Sequence, residues 1–227
     1  SKIFAVEFIL LSLAFAASSR GLWPAFLSEA APPSSLCITI ADVSGKGVPA
    51  SLFMAMAKTL GATLLRRHAD LTAGTHDLER ELSRENPAYL FVTAFIGVLD
   101  VSTGELEYVC AGHDAPLLRR NGHVSPLPTA DIAGPPLCAL GDYPYPSARM
   151  QLQAGDLLCL YTDGVSEAGS GAASAQDMYG SARLQASLAD AVERSVASAG
   201  ATGSTLRLTS VITPSVPQLP AIRRDTS

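Results

Sequence analysis

Apolar and polar positions alternate in distinct rhythms along this chain. Leu36–Asp42 (LCITIAD) is a short, β-branched apolar run that ends in an acid, which predicts a buried strand. A Gly-rich turn (VSGKGVP) follows, and Pro49 suits the first turn of a helix. That helix is predicted over Ala50–Ala69, with apolar residues spaced at Leu52, Met56, Leu60 and Leu64. Arg66, Arg67 and His68 close it, complementing the helix dipole. Thr75–Glu85 reads as a second helix, polar on one side. Strands follow: Tyr89–Asp100 and Leu106–Ala111 around a Ser102–Glu105 turn, then Ala115–Arg120 and His123–Leu127 around Asn121-Gly122, the strongest short hairpin signal. Ala148–Leu152 and Asp156–Tyr161 flank a turn at Ala154-Gly155. Tyr179–Ala199 is helical, Thr205–Ile212 is strand-like, and Pro214, Pro217 and Pro220 mark a loose tail from Thr213. Strand, helix pair, antiparallel strands, helix and strand make an α+β sandwich with its helices outside, not a doubly wound parallel sheet.

Ile3–Ala17 (IFAVEFILLSLAFAA) stands apart, an apolar run behind Lys2. It is shorter than the ~20 residues of a usual spanning helix and contains Glu7, which is costly in a bilayer. Three readings stay open: a signal peptide, the end of a membrane anchor, or an amphipathic helix packed elsewhere. Ser28–Ser35 (SEAAPPSS) reads as a linker.

Composition narrows the function. The 227 residues make one large domain, or one domain with extra segments, and 48% hydrophobic against 16% charged residues excludes a disordered chain. A net charge of -5 and 6% aromatic residues argue against nucleic acid as a partner. Cys37, Cys110, Cys138 and Cys159 form no C-x-x-C pair, so they read as free thiols in a reducing, cytoplasmic compartment, with membrane association left open by Ile3–Ala17.

Two strand-to-turn junctions look alike. Ile40–Gly45 (IADVSG) and Leu160–Val165 (LYTDGV) each place a carboxylate, Asp42 or Asp163, beside small residues. Such acids can point at a hard cation such as Mg²⁺ or Mn²⁺, and they serve equally well as turn caps. Gly45-Lys46-Gly47 is not a nucleotide P-loop, because Ile40 stands where the first Gly belongs. Lys46 could touch phosphate but suits a solvated turn. His113 suits a structural role in its tight turn, although its unperturbed pKa of ~6.5 permits proton transfer. Asp100 and Asp156 read as turn caps, Glu167 as serving the turn after Asp163, and Met54 and Met56 as packing.

Three segments together carry a resemblance: IADVSGKGVPASLFMAMAKTLG, FVTAFIGVLDVSTGELEYVCAGHDAPLLRR and LQAGDLLCLYTDGVSEA. From roughly Leu36 to Leu188 the chain resembles the metal-dependent protein phosphatase superfamily, in its bacterial branch of stage II sporulation protein E and the sigma-factor regulators. The resemblance implies an α-β-β-α sandwich of two antiparallel sheets flanked by helices. It implies two Mn²⁺ or Mg²⁺ ions between the sheets and hydrolysis of phosphoserine or phosphothreonine by metal-bound hydroxide. It assigns Asp42 as the metal-bridging acid, the carbonyl of Val43 as the next ligand and Asp163 as the second-sheet metal acid. The turn at Gly45-Lys46-Gly47 would lead into a switch-like helix pair, and Asp114 replaces the family's usual Asn after His113.

The ends depart from the family. No Asp occurs before Leu36, where a metal-binding G-G-D-x-[YF]-[DS] segment is expected, and Gly203–Thr209 lacks the terminal Asp-Asp pair. The expectation is therefore an unassigned segment over residues 1–35, a phosphatase-like domain over 36–212 and a flexible tail over 213–227, fragmentary or misread at both ends. One ion or none is expected with the acids that remain. The expected function is a serine/threonine phosphatase domain acting on a phosphorylated bacterial regulator of the anti-sigma-factor antagonist type. The alternative is a catalytically impaired interaction module of the same fold.

Overall fold

The computed structural model describes residues 8–11, 35–84, 86–167 and 179–198. The first sheet carries β1 (Phe8–Leu11), β2 (Ser35–Val43), β3 (Val92–Asp100) and β4 (Glu105–Ala111) in sequential antiparallel order. Two short strands share the outer edge of β4: β7 (Ala133–Gly134), which pairs in parallel, and β8 (Ala148–Gln151), which pairs antiparallel. The second sheet is smaller, in the order β6 (His123–Pro126), β5 (Leu117–Arg120), β9 (Leu157–Cys159). Helices α1 (Val48–Leu64) and α2 (Leu71–Arg84) cover the first sheet, and α4 (Gly180–Ser198) covers the second.

Three apolar cores separate these four layers, and strand alternation sorts residues between them. On β2, Leu36, Ile38 and Ile40 point between the sheets, and Phe95 and Leu99 do so from β3. Leu118 and Leu158 meet them from the second sheet. Val92, Ala94 and Ile96 point the other way, against Phe53, Met54 and Ala57 of α1 and Leu78 and Leu82 of α2. Leu117, Leu157 and Cys159 pack under Leu184 and Leu188 of α4. The α-β-β-α sandwich stands as expected, with β4–β7 the one parallel pair of named strands among the described residues and a single parallel bridge from Ala94 to Gly112.

Several local expectations are corrected. Phe8–Leu11 is a strand paired to β2, with Phe8 opposite Ala41 and Leu11 opposite Ile38, so these four residues are not helical; the rest of Ile3–Ala17 lies outside the described residues. No helix among the described residues is long and apolar enough to cross a membrane. Helix α1 buries Ala50, Phe53, Met54, Ala57 and Gly61 and leaves Leu52 66% exposed, because the face built around Phe53, Met54 and Ala57 is the one that meets the sheet. It ends at Leu64, so Arg66–His68 fall in the turn beyond it, where His68 meets Asp77 of α2 at 2.8 Å. Helix α2 begins four residues earlier than its pattern suggests. Asp70 caps it by accepting the N–H groups of Thr72 (3.1 Å) and Ala73 (3.3 Å). Residues 148–161 look like a hairpin, yet β8 joins the first sheet and β9 the second. Thr205–Ile212 and the tail lie outside the described residues.

Candidate active site

Asp42 continues the inward row Leu36, Ile38, Ile40, which aims its side chain at the open end of the space between the sheets. Its cross-strand partner on β3 is Thr93, also on the inward face. From the second sheet the chain runs out of β9 through Leu160–Thr162 into α3 (Asp163–Ser166), which Asp163 opens. The strand thus ends at Cys159, and Asp163 is a helix N-terminal residue rather than a strand-end acid. Its carbonyl accepts the Glu167 N–H at 2.7 Å, closing the turn that the sequence assigned to Glu167.

These pieces enclose one cavity of about 480 Å³. Asp42, Val43 and the Ser44–Gly47 turn line it from the first sheet, Asp163, Gly164 and Glu167 from the second, and Thr93, His113 and Asp114 between them. Both sequence-assigned acids and Val43 therefore come together. Lys46, read as a solvated turn residue, is exposed and also lines the cavity. Met54 is buried in the helix-facing core, as packing predicts, and its side of α1 also reaches the cavity.

His113 joins the sheets. Its Nε2 donates to the Tyr161 carbonyl at 3.1 Å, and its Nδ1 lies 3.0 Å from Thr93 Oγ1. Burial pushes its pKa down, against the pull of the Tyr161 carbonyl and the Asp114 and Asp163 carboxylates. A neutral ring then accepts the Thr93 hydroxyl proton, while the Thr93-to-Asp42 carbonyl contact is long at 3.4 Å. This bridge was not legible in the sequence beyond the tight turn at Gly112, whose φ is +65°.

Asp100 caps its turn as expected, accepting the Ser102 N–H at 2.8 Å. Asp156 does more than the cap expected of it. It accepts the Gln153 N–H at 2.9 Å and also holds Arg120 Nε at 3.0 and 3.1 Å. All four cysteines are free thiols, and burial raises the pKa of Cys138 and Cys159 to about 11.

The cavity lining carries four carboxylates, Asp42, Asp114, Asp163 and Glu167, against one ammonium, Lys46. Such a lining repels a phosphate dianion unless a cation intervenes. Among the described residues no three His, Cys, Asp or Glu side chains converge as a metal-holding group. Two carboxylates and a backbone carbonyl fit one hard cation that keeps several waters, and do not by themselves make a two-ion cage.

The family model of stage II sporulation protein E matches residues 32–206. The phosphoserine phosphatase RsbU of Bacillus subtilis is 30% identical over 133 residues, covering 59% of this chain and 39% of that protein. The structure of the RsbU and RsbW domains of a Mycobacterium tuberculosis protein superposes with a TM-score of 0.58 at 26% identity, over 69% of this chain and 44% of that one. The PP2C phosphatase domain of SpoIIE from Bacillus subtilis, with a fragment of its regulatory domain, gives 0.57 at 15% identity, over 73% and 50%. That last likeness is one of fold. The chain spans less than half the length of the curated relative.

Proposed function

The chain belongs to the stage II sporulation protein E family, and from that membership we propose that it is a metal-dependent serine/threonine phosphatase domain acting on a phosphorylated bacterial regulatory protein in the cytoplasm. The observation that carries this reading is the meeting of Asp42 and Asp163, from different sheets, in one acid-lined cavity with Lys46 at its wall. Asp42, the Val43 carbonyl and Asp163 are the groups that would hold Mn²⁺ or Mg²⁺. Bound there, a divalent cation supplies positive charge for phosphate oxygens and lowers the pKa of a coordinated water. Lys46, exposed at the cavity wall, would donate to a phosphate oxygen. His113 touches both sheets and keeps the Asp163 turn in place through the carbonyl of Tyr161, which makes it a positioning residue. The name of the Bacillus relative, a phosphoserine phosphatase, supports a phosphorylated protein as substrate, and we propose a regulator of the anti-sigma-factor antagonist type.

The test is hydrolysis of p-nitrophenyl phosphate with Mn²⁺. Asp42→Asn and Asp163→Asn should each reduce the rate at least about tenfold, the usual cost of weakening a metal site. Equal rates in all three proteins overturn the reading.

The other reading is a phosphatase-fold interaction module without catalysis. Calorimetric titration with Mn²⁺ separates the two: a saturable, Asp42-dependent heat supports the enzyme, and no heat at millimolar metal supports the module.

A further inference from the structure

The segment that enters β3 is held in an unusual way. Tyr89 has φ of 51°, a conformation that a bulky side chain rarely adopts, and the residue is 90% exposed. Asn86 enforces it. The Asn86 amide donates to the Leu90 carbonyl at 2.6 Å and accepts the Leu90 N–H at 2.8 Å, while Tyr89 N–H reaches the Asn86 carbonyl at 3.2 Å. The clamp turns Leu90 toward the helix-facing core and Tyr89 out to solvent. Phe91 is then fastened to the turn beside Asp42. Its N–H donates to Ser44 Oγ at 2.8 Å, and its carbonyl accepts the Ser44 N–H at 2.8 Å.

The consequence is one large ring on the cavity wall, Phe91, and a second, Tyr89, displayed to solvent just before it in the chain. Phe91 lines the cavity while remaining 42% exposed, and Tyr89 stands two residues away. The cavity turn then leads into α1, whose first exposed apolar residues are Val48 (71%) and Leu52 (66%). The clamp seats Leu90 against the core and leaves the Tyr89 ring in water, and backbone strain of this kind collects at ligand clamps. Rigid, exposed aromatics lose little conformational freedom on binding and commonly dominate recognition.

We propose that Tyr89 and Phe91 form a docking shelf for the polypeptide that flanks the phosphorylated residue, and that the shelf selects an aliphatic or aromatic side chain beside the phosphoserine. The occupant follows from continuity with the cavity: a chain that delivers a phosphate to Asp42 and Asp163 crosses the rim on which Phe91 sits. This proposal rests on the phosphatase reading and adds a sequence preference to it.

The probes are two fluorescein-labelled peptides, Leu-Leu-phosphoserine-Leu-Leu and Ala-Ala-phosphoserine-Ala-Ala, followed by fluorescence anisotropy with the full chain. The unmutated protein should bind the leucine peptide about tenfold more tightly, and Tyr89→Gly should remove most of that preference. Glycine accepts a positive φ, so this variant removes the ring while relieving the backbone, and its melting temperature should hold or rise. Hydrolysis of p-nitrophenyl phosphate, too small to reach the shelf, should be the same in both proteins. An unchanged peptide preference in Tyr89→Gly overturns the proposal. So does a dimer in sedimentation that becomes monomeric in the variant, which would make the shelf a self-association face. Absence of p-nitrophenyl phosphate turnover in the unmutated chain would count against the phosphatase reading alone, because the peptide preference is read from binding.

Discussion

His113 Nε2 donates to the carbonyl oxygen of Tyr161 at 3.1 Å, and this bond spans the two sheets at the cavity. The acceptor lies two residues before Asp163, so the bond fixes where the second-sheet acid emerges.

Removing the imidazole should therefore loosen the site and the fold together. His113→Ala leaves the Tyr161 carbonyl without its partner and should cost about 1–3 kcal/mol in urea unfolding. The folded pKa of His113 lies below the unfolded value of 6.5, so its contribution is present above that pH and lost as the pH falls through 6.5 toward the folded value. His113→Gln should flatten the acid side of the stability profile in that window. An unchanged profile would mean that other groups set it.

Gly112 gives a steric test of the same turn. A Cβ there would sit 2.7 Å from the ring and nitrogen of Pro136, at a φ of +65°. Gly112→Ala must displace backbone, and should lower stability by more than about 1 kcal/mol as well as reduce Mn²⁺ affinity by moving His113. Retained affinity in calorimetry would show that the cavity tolerates the shift.

Arg120 and Asp156 form a half-buried ion pair at the edge of the second sheet, with Arg120 Nη2 also donating to the Gln151 carbonyl at 2.8 Å. Burial pushes the Asp156 carboxyl up, but the Arg120 guanidinium and the Gln153 N–H outweigh it and hold the pKa below 3.8. The stabilisation is complete above that unfolded value and is lost as the pH falls through the lower folded one. Arg120→Met should cost about 3 kcal/mol, because it leaves a buried carboxylate unpaired. Arg120→Met combined with Asp156→Leu should recover much of that loss in thermal unfolding.

Glu79 behaves in the opposite sense. It is fully buried on α2 and accepts the Cys138 N–H at 2.7 Å and the Ser83 hydroxyl at 3.2 Å. Burial raises its pKa above 4.5 against those two hydrogen bonds. Its folded form holds the proton longer than the unfolded chain does, so its contribution is full below pH 4.5 and declines as the pH rises through the folded value. Glu79→Gln should remove that decline. Glu79→Ala should cost about 1–3 kcal/mol below pH 4.5, by leaving the Cys138 N–H without an acceptor, and less as the pH rises.

Local periodicity carried much of the architecture into the sequence. The alternation Leu36, Ile38, Ile40, Asp42 already states that the acid shares a face with buried residues, because successive strand side chains point to opposite sides. Asn121-Gly122 specifies its own hairpin, both residues having positive φ. The start of α2 was also legible in principle, in the capping side chain of Asp70.

What tertiary structure decided is partnership between distant segments. Arg120 and Asp156 are 36 residues apart, and no local rule pairs them. β8 and β9 flank a turn that suits a hairpin, yet β8 pairs with β4 in one sheet and β9 with β5 in the other. Phe8–Leu11 has an apolar pattern that serves helix or strand equally, and the open edge of β2 selects strand by offering backbone partners. The same logic governs the cavity. The sequence determined that Asp42 and Asp163 stand beside small residues at ends of buried runs. Only the packing of two sheets, bridged by His113, decided that both face one space, because convergence of side chains depends on long-range burial that no local period encodes.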